Sequence, residues 1–196
     1  MVGARLATRV GVHRLAVLAV LIVPAVASAE PPSPGVFYAT AAGCLCGAGV
    51  RGVPSYGLVG WDLALAGRLG DWWLRGALMR TQFIQGTYGY MYEPHVGVER
   101  RTYDNPHASA FFGLDAGMLT GSGGYEDSIG DSKIRGGFVM PRAGIEGGFE
   151  HVRIRLSLEV VLGYGHAVDV GDTPDQTVDK TGFMRGGNLE LGFIVR

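Results

Sequence analysis

Apolar and polar residues alternate at every second position along most of this chain, which is the period of a β-strand. Over residues 57–68, Val59, Trp61, Leu63 and Leu65 fall on one face. Leu58, Gly60, Asp62, Ala64 and Ala66 fall on the other. The pattern is sharpest from Val152 to Leu162, where Val152, Ile154, Leu156, Leu158 and Val160 alternate with Arg153, Arg155, Ser157, Glu159 and Val161. Similar stretches cover 72–83, 88–100, 108–118, 134–149 and 184–196, and a shorter one covers 36–44. Eight strands are therefore predicted, an even number as a closed up-and-down barrel requires. Pro94 lies inside the fourth stretch and predicts a bulge there.

The connections alternate in length. Short turns are expected at Gly70-Asp71, at Asn105-Pro106 and near Glu150. Longer gaps near 45–55, 119–133 and 164–183 are rich in Gly, Ser, Asp and Thr, while the gap near 84–88 is short. Short turns at one end and long loops at the other suit a membrane barrel with its loops outside the cell.

Alternation does not say which face is enclosed, but composition does. A solvated outer face would be rich in lysine and other long polar groups. Beyond residue 29 the chain has two lysines, Lys133 and Lys180, both in expected loops. The polar face mixes small residues, such as Gly97, Gly113 and Gly144, with charges of both signs. Small residues opposite large ones fill a narrow interior. The charged members are Asp62, Arg75, Glu93, Asp115, Arg142, Glu146, Arg153, Arg155, Glu159 and Glu190. Arginine is the only strong base among them, and its planar fork serves several carboxylates at once. We therefore expect these ten residues to form an Arg–carboxylate network in the lumen, with His95 as a hydrogen-bond partner. The Leu/Val/Trp face then meets hydrocarbon. Trp61, Trp72, Tyr88, Tyr90, Tyr92, Phe149 and Phe193 on or near that face supply aromatic girdles.

The first 29 residues have a different character. Arg5, Arg9, His13 and Arg14 precede the apolar run Leu15–Val23, and Ala27-Ser28-Ala29 is a small-x-small cleavage pattern. This order is that of a secretory signal peptide. The expected organisation is a signal peptide at 1–29 and one all-β barrel domain at 30–196. An exported chain makes a Cys44–Cys46 disulfide possible. An i,i+2 bridge closes a very small ring, so free thiols or an intermolecular bridge stay open as alternatives.

On the signal peptide, strand count, loop alternation and face chemistry, the chain resembles the small eight-stranded outer-membrane barrels, the class of the OmpA membrane domain and OmpX. The resemblance implies a monomer in the bacterial outer membrane, in contact with membrane lipid and lipopolysaccharide and inserted by the β-barrel assembly machinery. It implies a structural or interaction role with no open pore, because side chains fill an eight-strand interior. In one respect the chain departs from the class, which usually ends on an aromatic residue. Here the last strand ends in Arg196, with Phe193 its last aromatic.

Two other functions compete. One is a lipid A deacylase or acyltransferase, for which His166 with Asp169 is the candidate pair, although no serine follows the histidine closely. The other is a soluble exported lipocalin-like binding barrel. Nucleic-acid binding is not expected, since 17 basic residues balance 18 acidic ones without a basic face. No phosphate-binding loop or nucleophile elbow is present, and no cofactor or metal is expected.

Overall fold

The computed structural model describes residues 37–52, 56–83, 87–105, 107–125, 131–149, 151–170 and 177–195. The expected signal peptide, and Tyr88's place in a girdle, lie outside the described residues and side chains. Eight strands follow one another: β1 (Phe37–Val50), β2 (Tyr56–Leu69), β3 (Trp72–Phe83), β4 (Thr87–Asp104), β5 (Ala108–Tyr125), β6 (Ser132–Gly148), β7 (Val152–Asp169) and β8 (Val178–Val195). Each pairs antiparallel with its neighbours, and β1 pairs with β8, so the sheet is a closed barrel. No described helix is long and apolar enough to cross a membrane, which is no bar to crossing by strands.

Each of the eight alternating stretches is a strand, but the ladders run further than alternation predicts. β5 continues to Tyr125, β6 starts at Ser132, and β8 starts at Val178. Those extensions have too few apolar residues to keep a period of two, and the one on β5 is glycine-rich, although their backbones still pair.

The bulge expected at Pro94 is not there. The β4–β5 register is the same on both sides of the proline, Tyr92↔Thr120 and His95↔Gly117, and it shifts instead between Arg101 and Tyr103. Pro94 leaves a gap in one ladder while Leu78 still pairs with it on the other side. Pro141 does the same between Val139↔Leu162 and Arg142↔Glu159. Each proline lacks one donor, and the ladder skips that bond without changing register.

The turns match their chemistry. Gly70 supplies a positive φ of 63° between β2 and β3. Between β4 and β5, the Asn105 side-chain oxygen accepts from the backbone N–H of His107 (2.8 Å) and of Ala108 (2.7 Å).

The faces are sorted as expected. Leu63 is 51% exposed on the outer wall, while its neighbour Asp62 on the inner wall is 1% exposed. Trp61, Trp72, Tyr90, Tyr92, Phe149 and Phe193 are all exposed on the outside. Glycine makes the narrow interior possible. A methyl group at Gly97 would overlap the Asp115 carboxylate and the Leu114 carbonyl.

Candidate functional site: an ionic lumen beneath a sulfur-rich plug

The lumen has two halves. The half nearer the chain ends and short turns is ionic. Arg75 on β3 binds Asp62 on β2 and Asp115 on β5, the latter at 2.6 Å. Arg142 on β6 links Asp115 (Nε to Oδ1, 3.1 Å) to Glu99 on β4 (2.9 Å). Arg155 on β7 links Glu99 (2.5 Å) to Glu146 (3.0 Å). Arg101 reaches Glu146 at 3.5 Å, and Arg153 reaches it at 3.9 Å. Ser109 donates to Glu146 at 2.7 Å and accepts from Arg153 at 3.2 Å. One chain of alternating charge therefore runs from Asp62 to Arg153, as buried charges require.

Aromatic rings complete the guanidinium shells. Arg155 stacks 3.7 Å over Phe111, and Arg101 lies 4.8 Å from the Trp73 ring centroid. Tyr38 packs on Trp73 at 5.0 Å and donates its hydroxyl to Glu99 at 3.1 Å. His95 takes its proton position from its neighbours. Arg75 has only donors to offer, so His95 Nε2 accepts from it at 2.8 Å. The ring proton then sits on Nδ1, which donates to the Glu93 carbonyl at 2.8 Å.

All ten residues expected in the lumen are buried there. Seven belong to the connected chain: Asp62, Arg75, Asp115, Arg142, Glu146, Arg153 and Arg155. Glu159 is held instead by the Asn188 side-chain amide at 3.1 Å, and Glu190 by Ser157 at 3.0 Å. Glu93 contributes its backbone carbonyl. Glu99, with no exposed surface, is the hub, since one of its oxygens receives Arg142, Arg155 and Tyr38. It shares a face with Glu93 and His95 in sequence, which was the signal available for it.

The half nearer the long loops is apolar. Val50, Leu58, Met79, Met91, Leu119, Phe138, Met140, Val161 and Met184 close it together with Cys44 and Cys46. The two cysteines are joined as a disulfide, which resolves the alternatives left open by their spacing. Cys46 Sγ lies 3.9 Å from Met79 Sδ, and the Asn188 amide lies 3.6 Å from Met140 Sδ. The polarizable, flexible methionines suit a seal over the ionic layer.

The candidate catalytic pair is not brought together. His166 Nε2 binds Asp179 at 2.9 Å, while Asp169 accepts from Ser132 at 3.0 Å. Among the described residues no cluster of His, Cys, Asp or Glu could hold a metal ion.

This architecture defines the chain's class: an eight-stranded antiparallel barrel with an apolar outer wall and a filled interior, ionic in one half and apolar in the other. Solved structures share the barrel fold. The Neisserial surface protein A structure superposes with a TM-score of 0.62 at 14% identity, covering 82% of this chain and 97% of that one. The Pseudomonas aeruginosa outer membrane protein OprG gives 0.54 at 10% identity, with 82% and 95% covered. Ail, the attachment invasion locus protein of Yersinia pestis, gives 0.52 at 14% identity, with 81% and 96% covered. No protein-family model and no curated protein sequence matches the chain.

Proposed function

We propose that the chain is exported by the signal peptide at 1–29 and works as a plugged bacterial outer-membrane barrel, a rigid mount that presents loops at the cell surface. The observation that carries this reading is the sorting of the wall. Leu65, Leu74, Val96, Leu114, Leu191 and Phe193 point outward, while the Asp62-to-Arg153 chain is enclosed. In water that arrangement would expose a continuous apolar surface far larger than soluble monomers carry. In a bilayer it is the stable one.

The fold shared with Neisserial surface protein A, OprG and Ail supports the same location. The role is structural and interactive, carried by the loops that the rigid wall presents. The barrel is a monomer, lipopolysaccharide is its surrounding lipid, and the assembly machinery inserts it. Cell fractionation with gel migration of boiled and unboiled samples tests the reading. Mature protein is expected in the outer-membrane fraction, migrating differently before and after boiling. Mature protein found wholly in the soluble periplasm would overturn it.

A further inference from the structure

On the outer wall, residues paired across successive strands form rows. One row runs Leu63, Leu78 and Pro94, then, across the gap the proline leaves in the β4–β5 ladder, Met118, Gly137, Tyr164 and Phe183, and it is apolar throughout. The next row toward the long loops runs Trp61, Arg80, Tyr92, Thr120, Arg135, His166 and Thr181. The row beyond it includes Gln82, Tyr90, Ser122, Lys133 and Asp179. Across β5 and β6 the wall thus changes from apolar (Met118, Gly137) to polar (Thr120, Arg135, then Ser122, Lys133), while Val59 and Val168 keep apolar positions elsewhere in the upper row.

Just above that step, Arg135 and Lys133 stand on the same side of β6, both exposed. Their direct partners on β5 are Thr120 and Ser122, which are exposed as well. Two cations thus face two hydroxyls across one ladder, within reach of a single tetrahedral oxyanion. Neither cation forms an ion pair among the described residues. Two acids share this rim: Asp131 is exposed two residues before Lys133, and Asp179 is bound to His166, the β7 partner of Arg135. On the other flank Tyr92 and Tyr90 pair with Thr120 and Ser122, and Arg80 lies 3.8 Å over the Tyr90 ring. Directly below Arg135, Gly137 puts no side chain between Met118 and Tyr164 on the neighbouring strands, and a methyl there would meet only the Gly117 carbonyl oxygen, at 3.9 Å.

We propose that Arg135, Lys133, Thr120 and Ser122 form a docking site for a lipid A phosphate in the outer leaflet, with an acyl chain lying over Gly137. The inference rests on the outer-membrane reading, which puts the long-loop end in that leaflet. Charge complementarity selects an anionic headgroup. The apolar row beneath spans seven strands, which suits a broad lipid with several chains, and the flanking tyrosine faces suit a sugar ring.

The test uses the full mature barrel, refolded in neutral detergent and checked for heat-dependent migration. Native mass spectrometry then reads retention of three probes: bis-phosphorylated lipid A, the same lipid A without phosphates, and phosphatidylglycerol. Bis-phosphorylated lipid A is expected to bind at least about tenfold more tightly than the other two. The folded double variant Lys133→Ala/Arg135→Ala is expected to lose that preference. Thr120→Val/Ser122→Ala is expected to weaken it, and Arg100→Ala, at the opposite rim, to leave it unchanged. Equal binding of phosphatidylglycerol would overturn the assignment to lipid A. Undiminished binding by the folded Lys133→Ala/Arg135→Ala variant would overturn the site. Neither outcome depends on where cells place the protein, so fractionation can fail independently.

Discussion

Replacing Glu99 with alanine would remove the hub of the lumen and leave three guanidiniums short of an acceptor. Glu99 has no exposed surface, and a single oxygen receives Arg155 at 2.5 Å, Arg142 at 2.9 Å and Tyr38 at 3.1 Å. Its other oxygen is 3.6 Å from Arg101. Hydrogen bonds to charged groups contribute roughly 1.5–3 kcal/mol each, but these share one acceptor and do not add. Arg142 keeps Asp115, and Arg155 keeps Glu146. The expected cost is therefore that of one broken buried pair, about 3–5 kcal/mol. Glu99→Gln keeps the shape and one acceptor, and is expected to lose about 2 kcal/mol. Urea unfolding of barrels refolded in lipid vesicles measures both, with Trp61 and Trp72 on the outer wall as fluorescent reporters. A Glu99→Ala midpoint equivalent to within about 0.5 kcal/mol of the parent, the scale of ordinary surface substitutions, would refute the buried network as a source of stability.

Glycine substitutions should separate by face. Gly97→Ala is expected to prevent refolding or destabilise strongly, whereas Gly76→Ala, with nothing within 4 Å of the added methyl, should refold as the parent does. Leu158→Arg, midway along the outer wall of β7, should cost about 2–4 kcal/mol in vesicles. A neutral result in the same urea titration would argue that lipid does not contact that side. Thiol alkylation of the unfolded protein should give no mass increase until a reductant is added, and two adducts afterwards, reporting the Cys44–Cys46 bridge.

Much of this barrel was legible because a strand has a period of two. Arg153, Arg155 and Glu159 could be assigned to one side from sequence alone, and Leu156, Leu158 and Val160 to the other. Scarce lysine and abundant glycine then decided which side was enclosed. Periodicity assigns a face but not depth along the axis. It therefore left unread that Met79, Met91, Met140 and Met184 gather above the charges as a plug. Nor could it anticipate that His166 meets Asp179 instead of Asp169, because that pairing depends on the β7–β8 register in a region with no alternation. The bulge was misplaced for a related reason: a proline forfeits one donor, and a ladder tolerates that loss without slipping.

The seam of the cylinder has a consequence for how the protein is made. β1 bonds on one side to β2 and on the other to β8, through pairs from Ala39↔Val195 to Val50↔Met184. The first strand synthesised therefore keeps a bare edge until the last is complete. Throughout transit the chain carries both an unmatched template for aggregation and an apolar surface with no solvent to suit it. Loss of the C-terminal strand would not shorten the cylinder but leave it open along its whole height, so a truncated chain should behave as misfolded rather than merely less stable.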